Sequence, residues 1–296
     1  DALAVFHDGM PFTMDNLERL CDIGYSDKPE DGQAIGKFGL GFKSVFGICK
    51  TVHLHSAPPT PSVRYPRLDI EIRGFTHAIR IKPLKVPAGY TTLFILPFAV
   101  GERFSSFNSL DELRRVLGEK LRGLKMESLL FMRHLKEISY QFGNAEPAGF
   151  TIQRTKDKKT GATRVTLHGL NNADRQDFLC FSSPCDEAPG RTLDLAFSLD
   201  AQDHVIRPKK TPPVFVYFPT GEDSHLNFIV QGPFRTSSDR EKAYADDTLN
   251  KALANQLASL FYDSILALKA GGLLTVDLLA SLPLRPDVAP ESDIYQ

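Results

Sequence analysis

Between residues 51 and 98 the chain alternates apolar and polar side chains in short runs, each cut off by proline or glycine. Val52-His53-Leu54-His55, Leu68-Asp69-Ile70-Glu71-Ile72 and Ala78-Ile79-Arg80-Ile81 have the period of two that belongs to a half-buried strand, and 91–96 is a further short β-type run. Runs this short and this closely spaced predict an antiparallel sheet with helices on one face. Upstream, residues 3–6 read as a further strand, which His7-Asp8-Gly9-Met10-Pro11-Phe12 interrupts with turn residues. Thr13 is placed to cap a helix whose Met14, Leu17 and Leu20 share one face. A polar loop over residues 24–32 then leads into Ile35-Gly36-Lys37-Phe38-Gly39-Leu40-Gly41-Phe42-Lys43-Ser44-Val45-Phe46, read as a glycine-rich turn opening into a helix.

The remainder is also mixed. Ser109 and Glu112 form a capping box that starts a basic helix running to about residue 123, and the apolar stretch 126–138 reads as helical. Residues 151–154 and 163–167 flank the charged turn 156–161 as an exposed hairpin, and strands are expected at 192–199, 214–218 and 227–230. Leu249, Leu253, Leu257, Leu260, Phe261, Ile265 and Leu268 carry a helical period through residues 243–270, ended by Gly271-Gly272. The fold class is therefore α+β, in two domains: residues 1–104 and residues 105–296.

Composition narrows the function classes. With 35 Lys and Arg against 36 Asp and Glu, the formal charge is −1, so no global field draws the chain to nucleic acid or an anionic membrane. The longest uncharged apolar stretches, such as 91–100, fall well short of the ~20 residues of a membrane helix. Four cysteines without a Cys-x-x-Cys pair read as reduced thiols in a cytoplasmic protein. His53-x-His55 puts two imidazoles on one strand face without a visible third ligand, so no metal site is assigned. The basic residues around Arg114 and Arg115 alternate with acidic ones and read as a solvated helix face. The chain opens without Met inside a strand and is expected to be a piece of a longer protein.

Gly36, Gly39 and Gly41 ahead of a helix make a physical case for anion binding, since glycine admits close backbone approach and a helix start offers unpaired N–H groups. On spacing alone a purely structural glycine turn weighs equally. A P-loop is excluded because Phe42 precedes Lys43, a kinase glycine loop because its third glycine is Ser44, and a Rossmann turn because a polar loop stands where the strand should be.

The segment 35–46 closely resembles the glycine motif of the GHKL ATPases, the superfamily of gyrase, the heat-shock chaperone of ninety kilodaltons and the histidine kinases, with the chaperone and the sacsin-like group nearest. Other segments resemble that family in the same order. His7-Asp8-Gly9-Met10-Pro11-Phe12-Thr13 stands at its adenine motif, Ile23-Gly24-Tyr25-Ser26-Asp27-Lys28 at its lid, and Thr91-Thr92-Leu93-Phe94-Ile95-Leu96 at its closing strand. In the second half Val216-Tyr217-Phe218-Pro219-Thr220, followed by residues 227–241, resembles a chaperone-like middle domain.

The resemblance implies a Bergerat-type ATP-binding sandwich lacking its first helix, followed by an α+β middle domain. It implies ATP and Mg²⁺ as cofactors, the magnesium ligand belonging to the helix that would precede Asp1. By that likeness Gly36, Lys37, Phe38, Gly39, Leu40, Gly41, Phe42 and Lys43 hold phosphates, Ser26 and Lys28 belong to the lid, and Thr92, on the closing strand, is a further nucleotide-binding residue. Arg240, in its Ser-x-Arg-Glu turn, contacts the γ-phosphate as the catalytic residue; the other reading is an Arg-Glu pair on a solvated face. The family's base-reading Asp falls at His7 here, with Asp8 one place later and Pro11 in place of a glycine, so either His7 or Asp8 reads the base. The implied function is an ATP-binding module that couples nucleotide binding to domain closure, with client proteins as partners, a homodimer through the parent protein left open, and slow or absent hydrolysis by this chain alone. The alternatives are a degenerate interaction scaffold that binds no nucleotide, or a DNA-acting ATPase of the gyrase branch, which the Ser-Asp-Arg-Glu loop disfavours where those enzymes present lysine.

Overall fold

The computed structural model describes the chain except residues 22–39, 59, 61, 75, 102–104, 172–173, 201, 203–204, 238, 245–246, 284–293 and 296. It divides into two compact units, Asp1–Arg122 and Gly123–Gln296. Both are α+β, and their sheets are almost wholly antiparallel.

The first unit is a five-stranded antiparallel sheet of order β1-β5-β2-β3-β4, built from β1 (Ala2–His7), β2 (Thr51–Ser56), β3 (Leu68–Arg73), β4 (His77–Arg80) and β5 (Thr92–Pro97). The period of two turns Val52 and Leu54 of β2, Leu68, Ile70 and Ile72 of β3 and Leu96 of β5 to one face, where they are buried. Helix α1 (Met14–Cys21) covers that face with Leu17, and the short helix α2 (Leu40–Lys43) continues into a 3₁₀ turn (Ser44–Gly47) that adds Phe46. Thr13 and Asn16 cap α1 reciprocally: each backbone N–H donates to the other's side-chain oxygen, at 3.0 and 3.2 Å. Helix α3 (Leu110–Arg122) starts at the expected box, with the Glu112 N–H donating to Ser109 Oγ at 3.2 Å. Two of its arginines are ion-paired to neighbours, Arg115 with Glu119 and Arg114 with Asp111 and Asp1, as suits a solvated face.

The second unit is an eight-stranded sheet of order β12-β11-β13-β10-β9-β8-β7-β6. Its strands are β6 (Glu137–Tyr140), β7 (Ala148–Lys156), β8 (Thr163–Gly169), β9 (Arg175–Pro184), β10 (Thr192–Leu199), β11 (Pro213–Val216), β12 (Phe218–Asp223) and β13 (Ile229–Gln231). Helix α4 (Thr248–Ala270) is capped by Asp247 and packs Leu253, Leu257 and Leu260 over one face, onto Leu193, Leu195 and Phe197; α5 (Val276–Ser281) adds Leu278. The other face is covered by Met126, Leu129, Leu130 and Phe131.

Two expectations need correction. The stretch 126–138 is not a helix. It is one 3₁₀ turn (Met126–Leu129), an irregular cover and then β6: Arg154 Nη2 donates to the carbonyls of Leu129, Leu130 and Met132 at 3.2, 3.4 and 2.9 Å, and of these only that of Leu129 also takes a turn N–H, from Met132 at 3.0 Å. The strand expected at 214–218 breaks into β11 and β12 at Tyr217, whose φ of 65° lies in the left-handed region.

Candidate functional site

Antiparallel registers set out the covered face of the first sheet in rows. Leu3, Leu96, Val52 and Ile72 form one row, and Val5, Phe94, Leu54 and Ile70 the next. The last row reads His7, Thr92, Ser56 and Leu68, so an apolar face ends in three adjacent polar side chains.

That row is tightly bonded. The Ser56 and Thr92 hydroxyls lie 3.3 Å apart, and Ser56 Oγ also accepts from the Phe12 N–H at 2.9 Å, so the chain leaving the first turn crosses over the pair. Thr92 is 0% exposed and Ser56 1%. Thr91 clamps the turn itself: its Oγ1 donates to the Gly9 carbonyl at 2.6 Å and its N–H to the His7 carbonyl at 3.0 Å. His7 is half-buried, and burial lowers its imidazole below the ordinary value, with Asp8 pulling the other way. Asp8 and Gly9 are exposed.

Phenylalanine rings join this turn to the helix that follows the glycine segment. Phe12 meets Phe94 edge-on at 5.5 Å, Phe94 lies 6.0 Å from Phe42, and Phe42 meets Phe46 at 6.3 Å. Phe42 thereby rests beside the apolar row next to the polar one. Lys43 Nζ donates to the Cys21 carbonyl at 3.4 Å, and Ser44 Oγ to the Gly41 carbonyl at 2.8 Å. Ser26, Lys28, Gly36, Lys37, Phe38 and Gly39 lie outside the described residues, as does the side chain of Leu40. The structure thus brings together His7, Thr92 and Phe42. Sequence reasoning missed Ser56, Thr91 and Phe12 as site-building residues; Ser56 continues the 52, 54 phase of its strand, the one signal that pointed to it.

An open cleft of about 460 Å³ begins where the turn ends, between Met10, Pro11, Thr13 and Met14 on one side and Val63, Arg64, Tyr65 and Pro66 on the other. Asp8 and Thr92 are not among its walls. Among the described residues no three His, Cys, Asp or Glu side chains cluster to hold a metal. No helix among the described residues is long and apolar enough to cross a membrane.

In the second unit, Arg240 occupies a tight turn at φ 63°. Its guanidinium donates to the Val216 carbonyl, and burial lowers its pKa from the ordinary value. The Arg240 carbonyl accepts from the Gly221 N–H at 2.9 Å, and a Cβ on Gly221 would stand 2.8 Å from the Glu241 carbonyl oxygen, so only glycine admits this loop so close. Gln231, in the segment resembling the middle domain, is a buried amide that donates to Asp194 Oδ2 at 3.1 Å and to the Thr192 carbonyl at 3.1 Å. Burial raises the Asp194 carboxyl despite hydrogen bonds from Ser182, Thr192 and Gln231.

No family model matches the chain. It is 28% identical over 283 residues to Protein NO VEIN of Arabidopsis thaliana, an alignment covering 89% of this chain and 10% of that protein. The chain thus spans about a tenth of the length of the curated relative it matches.

Proposed function

We propose that the first unit is a Bergerat-type ATP-binding module of a chaperone-like or sacsin-like protein. The base is read at the His7-Asp8-Gly9 turn, and the segment from Gly36 to Lys43 supplies the phosphate contacts. One observation carries the reading: the turn after β1 and residues 40–43, which belong to two sequence segments that resemble nucleotide motifs, meet one end of one sheet face, through the His7–Thr92–Ser56 row and the Phe42–Phe94 contact. A single clustered site is what a ligand bridging both motifs requires. The proposal extends to coupling, in which binding favours a closed state because γ-phosphate contacts exist only there. Arg240 is its reporter on that phosphate, a role for which the guanidinium must first leave the Val216 carbonyl.

A second reading, an interaction scaffold without nucleotide, has one observation in its favour: the Thr92 and Ser56 hydroxyls already satisfy each other under Phe12. Thermal unfolding with increasing magnesium-ATP separates the two. A ligand at 100 times its dissociation constant adds about 2.7 kcal/mol, so the ATP reading expects a rising midpoint that saturates. An unchanged midpoint at millimolar ATP supports the scaffold.

A further inference from the structure

In the polar row at the end of the first sheet, Thr92 and Ser56 are sealed, 0% and 1% exposed, and their hydroxyls are turned to each other. His7, on the same row and only half-buried, is the member that an incoming group can meet. Its ring lies 6.2 Å from that of Phe12, and a Cβ on Gly9 would come within 3.3 Å of its Nδ1, so the glycine leaves the imidazole edge uncrowded. Asp8 is exposed and lies past the last paired residue of β1.

Resting on the nucleotide reading above, we infer that His7 is the base-reading group and that it makes the site permissive, accepting both adenine and guanine nucleotides. The chemistry follows from the donor inventory. A carboxylate only accepts hydrogen bonds, so at this position it selects the exocyclic amine of adenine and repels the carbonyl that guanine presents at the same place. A neutral imidazole carries one donor and one acceptor and exchanges them by changing tautomer. It accepts from the amine in one form and donates to the carbonyl in the other. Burial holds His7 in that neutral state near neutral pH. The neighbouring hydroxyls of Thr92 and Ser56 do not restore discrimination, because they are occupied by each other and by the Phe12 N–H.

The test measures dissociation constants for magnesium-ATP and magnesium-GTP at neutral pH, using the 296-residue chain and its His7→Asp and His7→Asn variants. The expected wild-type constants agree to within about tenfold, the worth of one neutral hydrogen bond. His7→Asp is expected to weaken GTP relative to ATP by about 100-fold, whereas His7→Asn, whose amide also donates and accepts, keeps the wild-type ratio. Tight ATP binding with GTP weaker by more than about 100-fold in the wild type overturns the inference and leaves the ATP reading standing. So does a ratio that His7→Asp leaves unchanged. Failure of both nucleotides to bind the wild type overturns the nucleotide reading itself, and the inference with it.

Discussion

On the face of the first sheet opposite its helices, Asp69 is the acceptor for three donors: Arg67 Nε at 2.8 Å, His55 Nδ1 at 2.7 Å and the Leu84 N–H at 3.3 Å. Burial opposes its ionisation, but the hydrogen bonds from Arg67 and His55 outweigh that and hold the carboxyl below its ordinary value. A carboxyl depressed in the folded state stabilises the fold above its unfolded value of about 3.9 and loses that contribution as pH falls through the folded one. Asp69→Asn should therefore flatten the acid limb of the stability curve. It should also cost about 1 kcal/mol near neutral pH, because an amide keeps an acceptor for His55 but replaces the charge-assisted bonds from Arg67 and His55 with neutral ones, as read by urea unfolding across a pH series. A variant that keeps the wild-type acid limb would show that the carboxylate carries no linkage. The alternation of His53 and His55 was legible in the sequence, but the partner of His55 was not. Asp69 meets His55 because of the β2–β3 register, which no local spacing encodes. The same holds for Ser56 and Thr92, 36 residues apart in the chain and adjacent across β2 and β5.

Elements show the same division between local and non-local information. The four β-type runs between residues 51 and 98 became strands nearly where the sequence placed them, and α4 ends at the glycine pair as expected. Strand β9 was missed because Phe178, Leu179, Cys180 and Phe181 are all buried, on two faces covered by different cores, which erases the alternation. The stretch after Met126 was misread for a related reason. Every residue from Met126 to Met132 is buried, the polar Glu127 and Ser128 included, so polarity does not mark a solvent face, and the Leu130 and Met132 carbonyls are satisfied by a side chain 22 to 24 residues away. Arg154→Met keeps the bulk and removes that donor. It should cost about 2 kcal/mol in urea unfolding at an unchanged slope, because the Leu130 and Met132 carbonyls under a packed cover lose Arg154 as donor, while that of Leu129 keeps the Met132 N–H. A loss of less than about 0.5 kcal/mol would mean that the cover is held by its apolar side chains alone.

At the scale of the molecule each unit has its own apolar core, one built on the five-stranded sheet and two on the opposite faces of the eight-stranded one. The order along the chain of the segments that resemble nucleotide motifs is a property of the sequence alone. Their convergence depends on strand order β1-β5-β2, which brings the last strand of the first sheet between its first two. That convergence on one end of a sheet face underlies the proposed nucleotide site, and hydrogen exchange tests it by position as well as by occupancy. With saturating magnesium-ATP, peptides covering residues 5–12 and 40–47 should exchange more slowly together, while those from β3 and β4 at the far edge of the sheet stay unchanged. Unaltered exchange in both segments, or protection confined to the second unit, would contradict the account.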